Sequence, residues 1–292
     1  MSHALEALLA RGAAAGLRAL PWRSSIAAGA ALGTAAGGLG LRRRVARANL
    51  ALAFPKKPEA ERDAILAAHY RELGRVLAEY TRMGELSALD SEAIAAVHGL
   101  EHLESARARG RGVILMSGHY SSFELLCARL GRLHPTDVLT RRVSNPGVER
   151  WLTERRHEAG LGTISSETGV REVYGALKAQ RFVAMLADQD ARGHGVFVPF
   201  FGRPTSTALG PARISIATGA PILMGFTTRG RDGRHALELE PPLEAEDPRA
   251  SDAAERLTAR HTARLEHWVR KRPELWFWLH RRWKTAPPGS AH

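Results

Sequence analysis

His119 and Glu124 stand five positions apart in the stretch SGHYSSFELL, residues 117–126, directly after an apolar run. A histidine can take a proton from a hydroxyl near neutral pH, and a carboxylate beside it can hold the imidazole in the required tautomer. A strand-to-helix turn can bring side chains at this spacing together. The pattern therefore favours general-base chemistry.

The same stretch also fits an ordinary helix start. The residues SSFE, 121–124, match a capping box, in which Ser121 caps the helix and Glu124 reaches back to a backbone N–H group. On this interpretation His119 is only a polar turn residue. The ten residues alone leave both interpretations open.

The sequence indicates no nucleophile on the protein itself. It has no strand-turn-helix G-x-S-x-G pattern, and its single cysteine, Cys127, falls inside a predicted helix. An acceptor hydroxyl would then attack directly, as in acyl transfer between two bound substrates. No histidine pair stands at metal-ligand spacing with a third ligand nearby, so we expect no metal and no cofactor.

Short apolar runs alternate with helical patterns along the chain. Strands are predicted at 112–117, 136–140, 162–165, 182–188, 221–229 and 235–240, and helices at 59–82, 121–131, 146–159, 169–180, 207–219 and 250–271. This alternation predicts an α/β fold with a largely parallel sheet covered on both faces. Functional residues collect at the carboxyl ends of such strands. The polar residues placed there are His119, Arg141, Arg142, Asp188, Gln189 and Asp190.

The net charge of +12 is concentrated at the two ends of the chain. Residues 1–57 carry nine Lys and Arg against one Glu, and residues 264–284 carry seven against two Glu. This placement predicts a docking surface for an anionic partner; nucleic acid, an anionic membrane leaflet and an acidic carrier protein all fit.

Residues 24–41 contain no charged side chain but are mostly Ala and Gly. They predict a helix that lies on or dips into a membrane, or one that packs on its own protein through Gly29, Gly33 and Gly37. The segment WFWLHRRWK, residues 276–284, fits either the membrane–water interface or a core with a basic solvated edge.

The stretch SGHYSSFELL resembles the histidine-x4-acid box of glycerolipid-type acyltransferases, in the glutamate form of the bacterial lipid A late acyltransferases. Further blocks resemble that family in the same order, at residues 44–55, 141–156, 188–222 and 273–285. The resemblance covers about residues 40 to 285. Five ordered blocks are stronger evidence than one box, so the resemblance favours catalytic roles for His119 and Glu124.

This resemblance implies a glycerolipid-acyltransferase-like, largely parallel mixed sheet, preceded by N-terminal apolar or amphipathic helices. It implies a basic membrane-associating segment at 1–57, an acyltransferase domain at 58–285 and a flexible tail at 286–292. His119 would be the general base and Glu124 its orienting carboxylate. The implied substrate-binding residues are Arg141, Arg156, Asp188, Gln189, Phe201, Gly202, Arg281 and Arg282. Each also has a structural alternative: a surface arginine, a structural hydrogen bond or a tight turn.

The implied activity is transfer of a fatty acyl chain from acyl carrier protein to a hydroxyl of an anionic glycolipid, a lipid A precursor of the Kdo-lipid IVA type. The expected location is the cytoplasmic face of the cell inner membrane. Action on another glycolipid, such as a phosphoinositol mannoside, or use of acyl-CoA, is the alternative. A nucleic-acid-binding protein is more distant, since the basic residues frame an apolar helix and a Trp cluster and no usual nucleic-acid motif is visible.

Overall fold

The computed structural model describes residues 3–289 and has three layers, with helices on both faces of a mixed, mostly parallel sheet. The sheet has seven strands: β1 (Ile94–His98), β2 (Val113–Ser117), β3 (Thr136–Thr140), β4 (Leu161–Ser165), β5 (Phe182–Leu186), β8 (Ile222–Arg229) and β9 (His235–Leu239). Their order across the sheet is β1-β9-β8-β2-β5-β3-β4, and of the neighbouring pairs only β8–β9 is antiparallel. A separate antiparallel hairpin contains β6 (Val196–Phe200) and β7 (Arg203–Thr207). The predicted fold class is confirmed.

Helices both precede the sheet and connect its strands. They are α1 (His3–Ala19), α2 (Trp22–Gly38), α3 (Arg43–Ala53), α4 (Glu59–Tyr80), α5 (Met83–Leu86), α6 (Leu100–Arg107), α7 (Phe123–Gly131), α8 (Pro146–Glu158), α9 (Val170–Lys178), α10 (Gly210–Thr218) and α11 (Ala253–Lys271). One apolar core lies between the sheet and α9, α10 and α11, with the C-terminal tryptophans. A second core lies on the opposite face, under α5, α6 and α7. Burial on both faces explains why the central strands read as continuous apolar runs.

The six predicted strands are confirmed to within two residues at each end. Strand β1, helix α6 and the β6–β7 hairpin were not predicted. Strand β1 lies at the edge of the sheet and is only half buried, so it lacks a strong apolar pattern. Strand β6 contains Pro199, which argues against a strand in a sequence reading but is tolerated in a two-stranded hairpin. Because β7 occupies residues 203–207, the helix predicted at 207–219 starts only at Gly210.

Helix α2 packs on α4 through its glycines. Gly29, Gly33 and Gly37 are buried, and a Cβ atom on Gly33 would overlap the carbonyl oxygen of Tyr70. The glycine spacing therefore serves close packing within the protein, while Leu32 on the same helix is exposed. No single helix among the described residues is long and apolar enough to span a membrane; α2 and α3 pass that test only as a pair bent by 91°.

Helix α3 ties the N-terminal helices to the C-terminal segment. The side-chain amide of Asn49 donates to the carbonyl oxygens of Trp278 at 2.8 Å and His280 at 2.6 Å. The boundary at residue 57, between a membrane-associating segment and an acyltransferase domain, remains a prediction. In the structure α3, which precedes that boundary, contacts the C-terminal segment that follows it. Of the predicted tail at 286–292, residues 290–292 lie outside the described part of the chain.

Candidate active site

His119 lies just past the carboxyl end of β2, where a tight approach fixes its position. A Cβ atom on Gly118 would lie 2.7 Å from Leu265 Cδ1 and 2.9 Å from Asp188 Oδ2, so only glycine fits before the histidine. The His119 backbone N–H donates to Asp188 Oδ2 at 2.7 Å, and the ring Nδ1 lies 2.7 Å from Asp188 Oδ1. Both the backbone and the ring of His119 are therefore held by one carboxylate.

Asp188 follows β5, the strand beside β2, and is buried. It also accepts a hydrogen bond from Trp276 Nε1 at 2.8 Å. Burial favours the protonated acid, but the charge of His119 and these hydrogen bonds outweigh it and lower the pKa of Asp188 to about 2. The carboxylate is thus ionised at neutral pH and acts only as an acceptor.

The pKa of His119 responds to the same pair. Burial lowers it, while the charge of Asp188 and the bond to Nδ1 raise it by more, so its pKa lies above the ordinary value. A carboxylate on Nδ1 places the proton of the neutral ring on that nitrogen. Nε2 is then free to accept a proton, and the nearest polar neighbour recorded for it is Gln189 Nε2 at 3.4 Å.

Glu124 points to a different partner. Its two oxygens accept hydrogen bonds from Arg156 Nε at 2.9 Å and Arg156 Nη2 at 2.7 Å, and Tyr80 donates to it at 3.0 Å. All contacts of this carboxylate with Arg156 are buried, so the pair is a fork-to-fork ion pair in low dielectric. The carboxylate bonded to the His119 ring is that of Asp188, not that of Glu124.

The expected capping box does not form. Ser122 precedes α7 without a side-chain capping bond, and Ser121 has a left-handed backbone with φ of 46°. Both hydroxyls instead donate to buried glutamates of α4: Ser121 to Glu72 at 3.2 Å, and Ser122 to Glu79. The loop after His119 is therefore fastened to α4 rather than to its own helix.

These glutamates belong to a buried charge cluster, formed by Glu72, Glu79, Arg229 and His235. Arg229 Nη2 donates to Glu72 Oε1 at 3.0 Å and to Glu79 Oε2 at 2.9 Å, and His235 Nε2 lies 2.7 Å from Glu79 Oε1. Burial raises the pKa of Glu79, but its neighbours His235 and Arg229 outweigh burial and lower it. The cluster joins α4, strands β8 and β9, and the loop that carries His119.

A cavity of about 680 Å³ opens beside His119, between the sheet and α7. Its wall is largely apolar, with Leu115, Leu126, Val138, Leu186, Leu223 and Leu239 among the lining residues. Polar side chains of Gln189, Arg141 and Arg156 also reach it. An apolar cavity of this size beside a base suits a long alkyl chain whose reactive end lies at the histidine.

All residues of this site lie in the part of the chain that matches a single protein family. Residues 3–285 match the model of the bacterial lipid A biosynthesis acyltransferases. The chain belongs to that family. The resemblance seen in the ordered blocks is thereby confirmed, and the protein is an acyltransferase.

Relatives of this lipid A acyltransferase family member are named for different acyl groups and different lipids. The chain is 30% identical to the lipid A biosynthesis palmitoleoyltransferase of Escherichia coli, over 89% of this chain and 86% of the relative. It is 28% identical to the lipid A biosynthesis lauroyltransferase of the same organism, over 85% and 81%. It is also 28% identical to the phosphatidylinositol mannoside acyltransferase of Mycobacterium tuberculosis, over 61% and 58%.

The predicted substrate-binding residues of this acyltransferase fall into two groups. Asp188, Gln189, Arg141 and Arg156 surround His119 or line the cavity, although Arg156 is bonded to Glu124 and Arg141 is exposed. Phe201 and Gly202 instead form the turn of the β6–β7 hairpin and do not line the cavity. The Phe201 N–H donates to Glu266 Oε2 at 2.5 Å, so it is already bonded.

The two C-terminal arginines have different environments. Arg281 is exposed, whereas Arg282 is 1% exposed and donates to Gln189 O at 3.1 Å and Ser206 O at 2.5 Å. Arg282 thus joins the hairpin to the strand end that carries Asp188 and Gln189. Trp276 and Trp278 are also buried, so these two tryptophans belong to the core and not to a surface belt.

Several site residues were missed by sequence reasoning. Trp276 lies in the family-like block at 273–285, but the sequence indicated for it only a membrane-interface or core position and no contact with Asp188. Tyr80, Glu72 and Glu79 lie on one amphipathic helix, α4, where polar residues normally face water. The available signal in the sequence was a pair of glutamates seven positions apart on that helix. Their burial could not be predicted, because Arg229, which pairs with Glu79, is 150 residues away.

Proposed function

We propose that this protein transfers a fatty acyl chain from acyl carrier protein to a hydroxyl of an anionic glycolipid of the lipid A precursor type. The observation that carries the proposal is the His119–Asp188 pair at the mouth of a large apolar cavity. A base and an alkyl-sized cavity are the two requirements of acyl transfer to a hydroxyl. The lipid A acyltransferases of the family supply the acceptor class.

The reaction needs one proton carrier. His119 Nε2 removes the proton of the acceptor hydroxyl while the hydroxyl oxygen attacks the thioester carbonyl carbon. The tetrahedral intermediate then expels the donor sulfur: the C–S bond breaks, and the imidazolium returns its proton to the leaving thiolate. The products are an ester and a free thiol. Asp188 stabilises the imidazolium between these steps.

Arg156 provides positive charge in the cavity wall. Its buried guanidinium is fixed by Glu124 of α7, and it lines the same cavity as His119. Negative charge develops on the carbonyl oxygen during attack, and a preorganised cation in low dielectric stabilises it. In this scheme the histidine-x4-glutamate spacing holds that arginine, and Asp188 orients the base.

Exposed charge at the two ends of the chain supports the proposed partners and location. Arg42, Arg43 and Arg44 are exposed beside the exposed side chains of Leu39 and Leu41. Cationic and apolar side chains side by side suit an anionic leaflet. We therefore place the protein at the cytoplasmic face of the inner membrane, where the acidic carrier protein and an anionic glycolipid can both reach it.

Mass spectrometry tests the proposal. Purified protein is incubated with acyl carrier protein or coenzyme A thioesters and with either a tetra-acylated lipid A precursor or a phosphatidylinositol mannoside. We expect an added acyl chain on the lipid A precursor with the carrier-protein donor. Product only on the mannoside would show that the proposed acceptor is wrong, and product only from coenzyme A thioesters would show that the proposed donor is wrong. No product with any pair would reject it.

A further inference from the structure

The cavity beside His119 has two lateral ends with different chemistry. Toward β3 and α8 its lining mixes apolar side chains, such as Val138, Leu139 and Leu152, with the charged groups of Arg141, Glu124 and Arg156. Toward β8 and β9 the lining residues are Leu126, Leu223, Gly225 and Leu239, together with Cys127 of α7. Burial raises the pKa of the Cys127 thiol to about 12, so this end carries no charge at neutral pH. No charged side chain lines the second end, so an alkyl chain is stabilised more there than beside Glu124 and Arg156.

Three residues meet to close that end. Gly225 lies opposite Leu239 in the β8–β9 register. A Cβ atom on Gly225 would lie 2.5 Å from Leu126 Cδ2 and 3.2 Å from Leu239 Cδ2. The two leucine side chains therefore occupy the space that a side chain at position 225 would need, and all three residues line the cavity. We call this closed end the Gly225 corner.

We propose that the methyl end of the transferred chain stops at the Gly225 corner, so that residues 126, 225 and 239 set the acyl chain length. This inference rests on the proposed function, because it assigns the cavity to the transferred chain. The thioester carbonyl lies at His119, and the chain fills the apolar end away from Arg156. The number of methylenes that fit between these two points decides which donor reacts.

The corner is a sensitive place for selection because its leucine side chains are buried and closely packed. Leu239 is 5% exposed and Leu126 is 3% exposed, each packed in the core on the α7 face. A side chain at 225 would force Leu126, which lines the cavity, to shift. Closely packed interiors accommodate even one methylene poorly, and one methylene more or less in an apolar pocket changes specificity about 10- to 200-fold.

Three variants of the full-length protein test the corner. Gly225→Ala shortens the cavity, and Leu239→Ala lengthens it. Leu237→Ala is the matched control: Leu237 lies on the same strand and is equally buried, but it does not line the cavity. Each is given an equimolar mixture of acyl carrier protein thioesters with chains of increasing length, and the products are read by mass spectrometry. Thermal unfolding reports whether each variant is folded.

We expect Gly225→Ala to lower the use of the longest accepted chain, relative to a chain two carbons shorter, by about tenfold or more. Leu239→Ala should shift the product toward longer chains, and Leu237→Ala should keep the wild-type distribution. If Leu239→Ala does not fold, Leu239→Val against Leu237→Val takes its place. An unchanged distribution in folded Gly225 and Leu239 variants, or an equal shift in the Leu237 control, overturns the inference.

A binding series separates this inference from the proposed function. S-alkyl pantetheine thioethers cannot be transferred, so their stabilisation of the protein depends only on fit. We expect the chain length of greatest stabilisation to be shorter in Gly225→Ala and longer in Leu239→Ala. If transfer fails but these maxima move as stated, the proposed reaction is wrong and the corner still limits chain length. If transfer occurs and the maxima do not move, the proposed reaction stands and the Gly225 corner does not limit chain length.

Discussion

The Nδ1 atom of His119 lies 2.7 Å from Oδ1 of Asp188, although the two residues are 69 positions apart. The same carboxylate accepts the His119 backbone N–H and Trp276 Nε1. Asp188 therefore fixes the orientation and tautomer of the His119 ring and would stabilise its charged form in the proposed reaction.

Asp188→Asn should lower kcat by on the order of 10⁴-fold while the protein stays folded, because an amide can no longer hold the imidazole in the required tautomer and stabilise the imidazolium. His119→Ala should lower it at least as much. The measurement is turnover of acyl thioester with an acceptor lipid, with unfolding curves as the control for folding. A folded Asp188→Asn protein with near-normal turnover would contradict the role given to this carboxylate.

The pH profile gives an independent test. The base must be neutral to act, so activity rises with pH through the pKa of His119, which lies above its ordinary value of about 6.5. Removing the Asp188 charge leaves burial as the main influence, and burial lowers that pKa. We therefore expect the acid limb of the residual activity in Asp188→Asn to move to lower pH. A limb that moved to higher pH would show that another group titrates.

Replacing Glu124 with glutamine should lower the unfolding free energy and weaken the stabilisation of the tetrahedral intermediate by Arg156. The change leaves the Arg156 guanidinium buried without its counter-ion, which costs about 3–5 kcal/mol of unfolding free energy. Glu158→Gln is the control: the Glu158 side chain is about half exposed, and its pairs with Arg18 and Arg155 contribute about 0–1 kcal/mol. We expect a smaller shift of the acid limb than in Asp188→Asn. An equal shift would support direct orientation of His119 by Glu124.

Loss of Arg229 should disturb the loop after His119 through the buried glutamates of α4. Arg229→Met leaves Glu72 and Glu79 facing each other in the core, and these residues hold Ser121 and Ser122. We expect a loss of several kcal/mol in unfolding free energy and a lower kcat in the protein that remains folded. Arg75→Met removes a half-exposed partner of the same Glu72 and should cost less than about 1 kcal/mol. Equal effects of the two changes would argue against a buried cluster.

Local pattern predicted more of the fold than of the site. Strands such as Phe182–Leu186 are continuous apolar runs, and a run needs no knowledge of its neighbours. The partner of His119 could not be chosen this way, because Glu124 was near in sequence and Asp188 near in space. Register placed Leu186 of β5 beside Ser117 of β2, and that pairing brings the two strand ends together. Sequence spacing measures distance along the chain, whereas a parallel sheet sets distance across it.

Gly74 should be intolerant of even one methyl group. A Cβ atom there would overlap the Gly29 carbonyl oxygen, so Gly74→Ala must separate α2 from α4. Gly175→Ala is the control, since nothing lies within 4 Å of its Cβ position in helix α9. We expect Gly175→Ala to raise the unfolding free energy by up to about 1 kcal/mol and Gly74→Ala to lower it. Unfolding in urea measures both, and a neutral Gly74→Ala would contradict the close helix packing.

Attachment to an anionic surface should depend on the exposed arginines of the N-terminal segment. Each Lys or Arg near such a leaflet contributes about 1 kcal/mol, so replacing Arg42, Arg43 and Arg44 with glutamine should weaken binding by about 3 kcal/mol, roughly 100-fold. The effect should shrink as salt rises, because screening reduces the wild-type attraction. Sedimentation with phosphatidylglycerol-containing vesicles at several salt concentrations measures it.

The control removes the same charge elsewhere. Arg171, Arg231 and Arg249 are exposed and lie outside both basic ends, so their replacement with glutamine lowers the net charge equally. Arg281→Gln tests the C-terminal end and should raise KM for one substrate more than it weakens vesicle binding. Arg282 is unsuitable for that purpose, because its buried guanidinium holds Gln189 and Ser206 in place. If the two triple variants release from vesicles alike, overall charge attracts the protein and the N-terminal segment is not its attachment site.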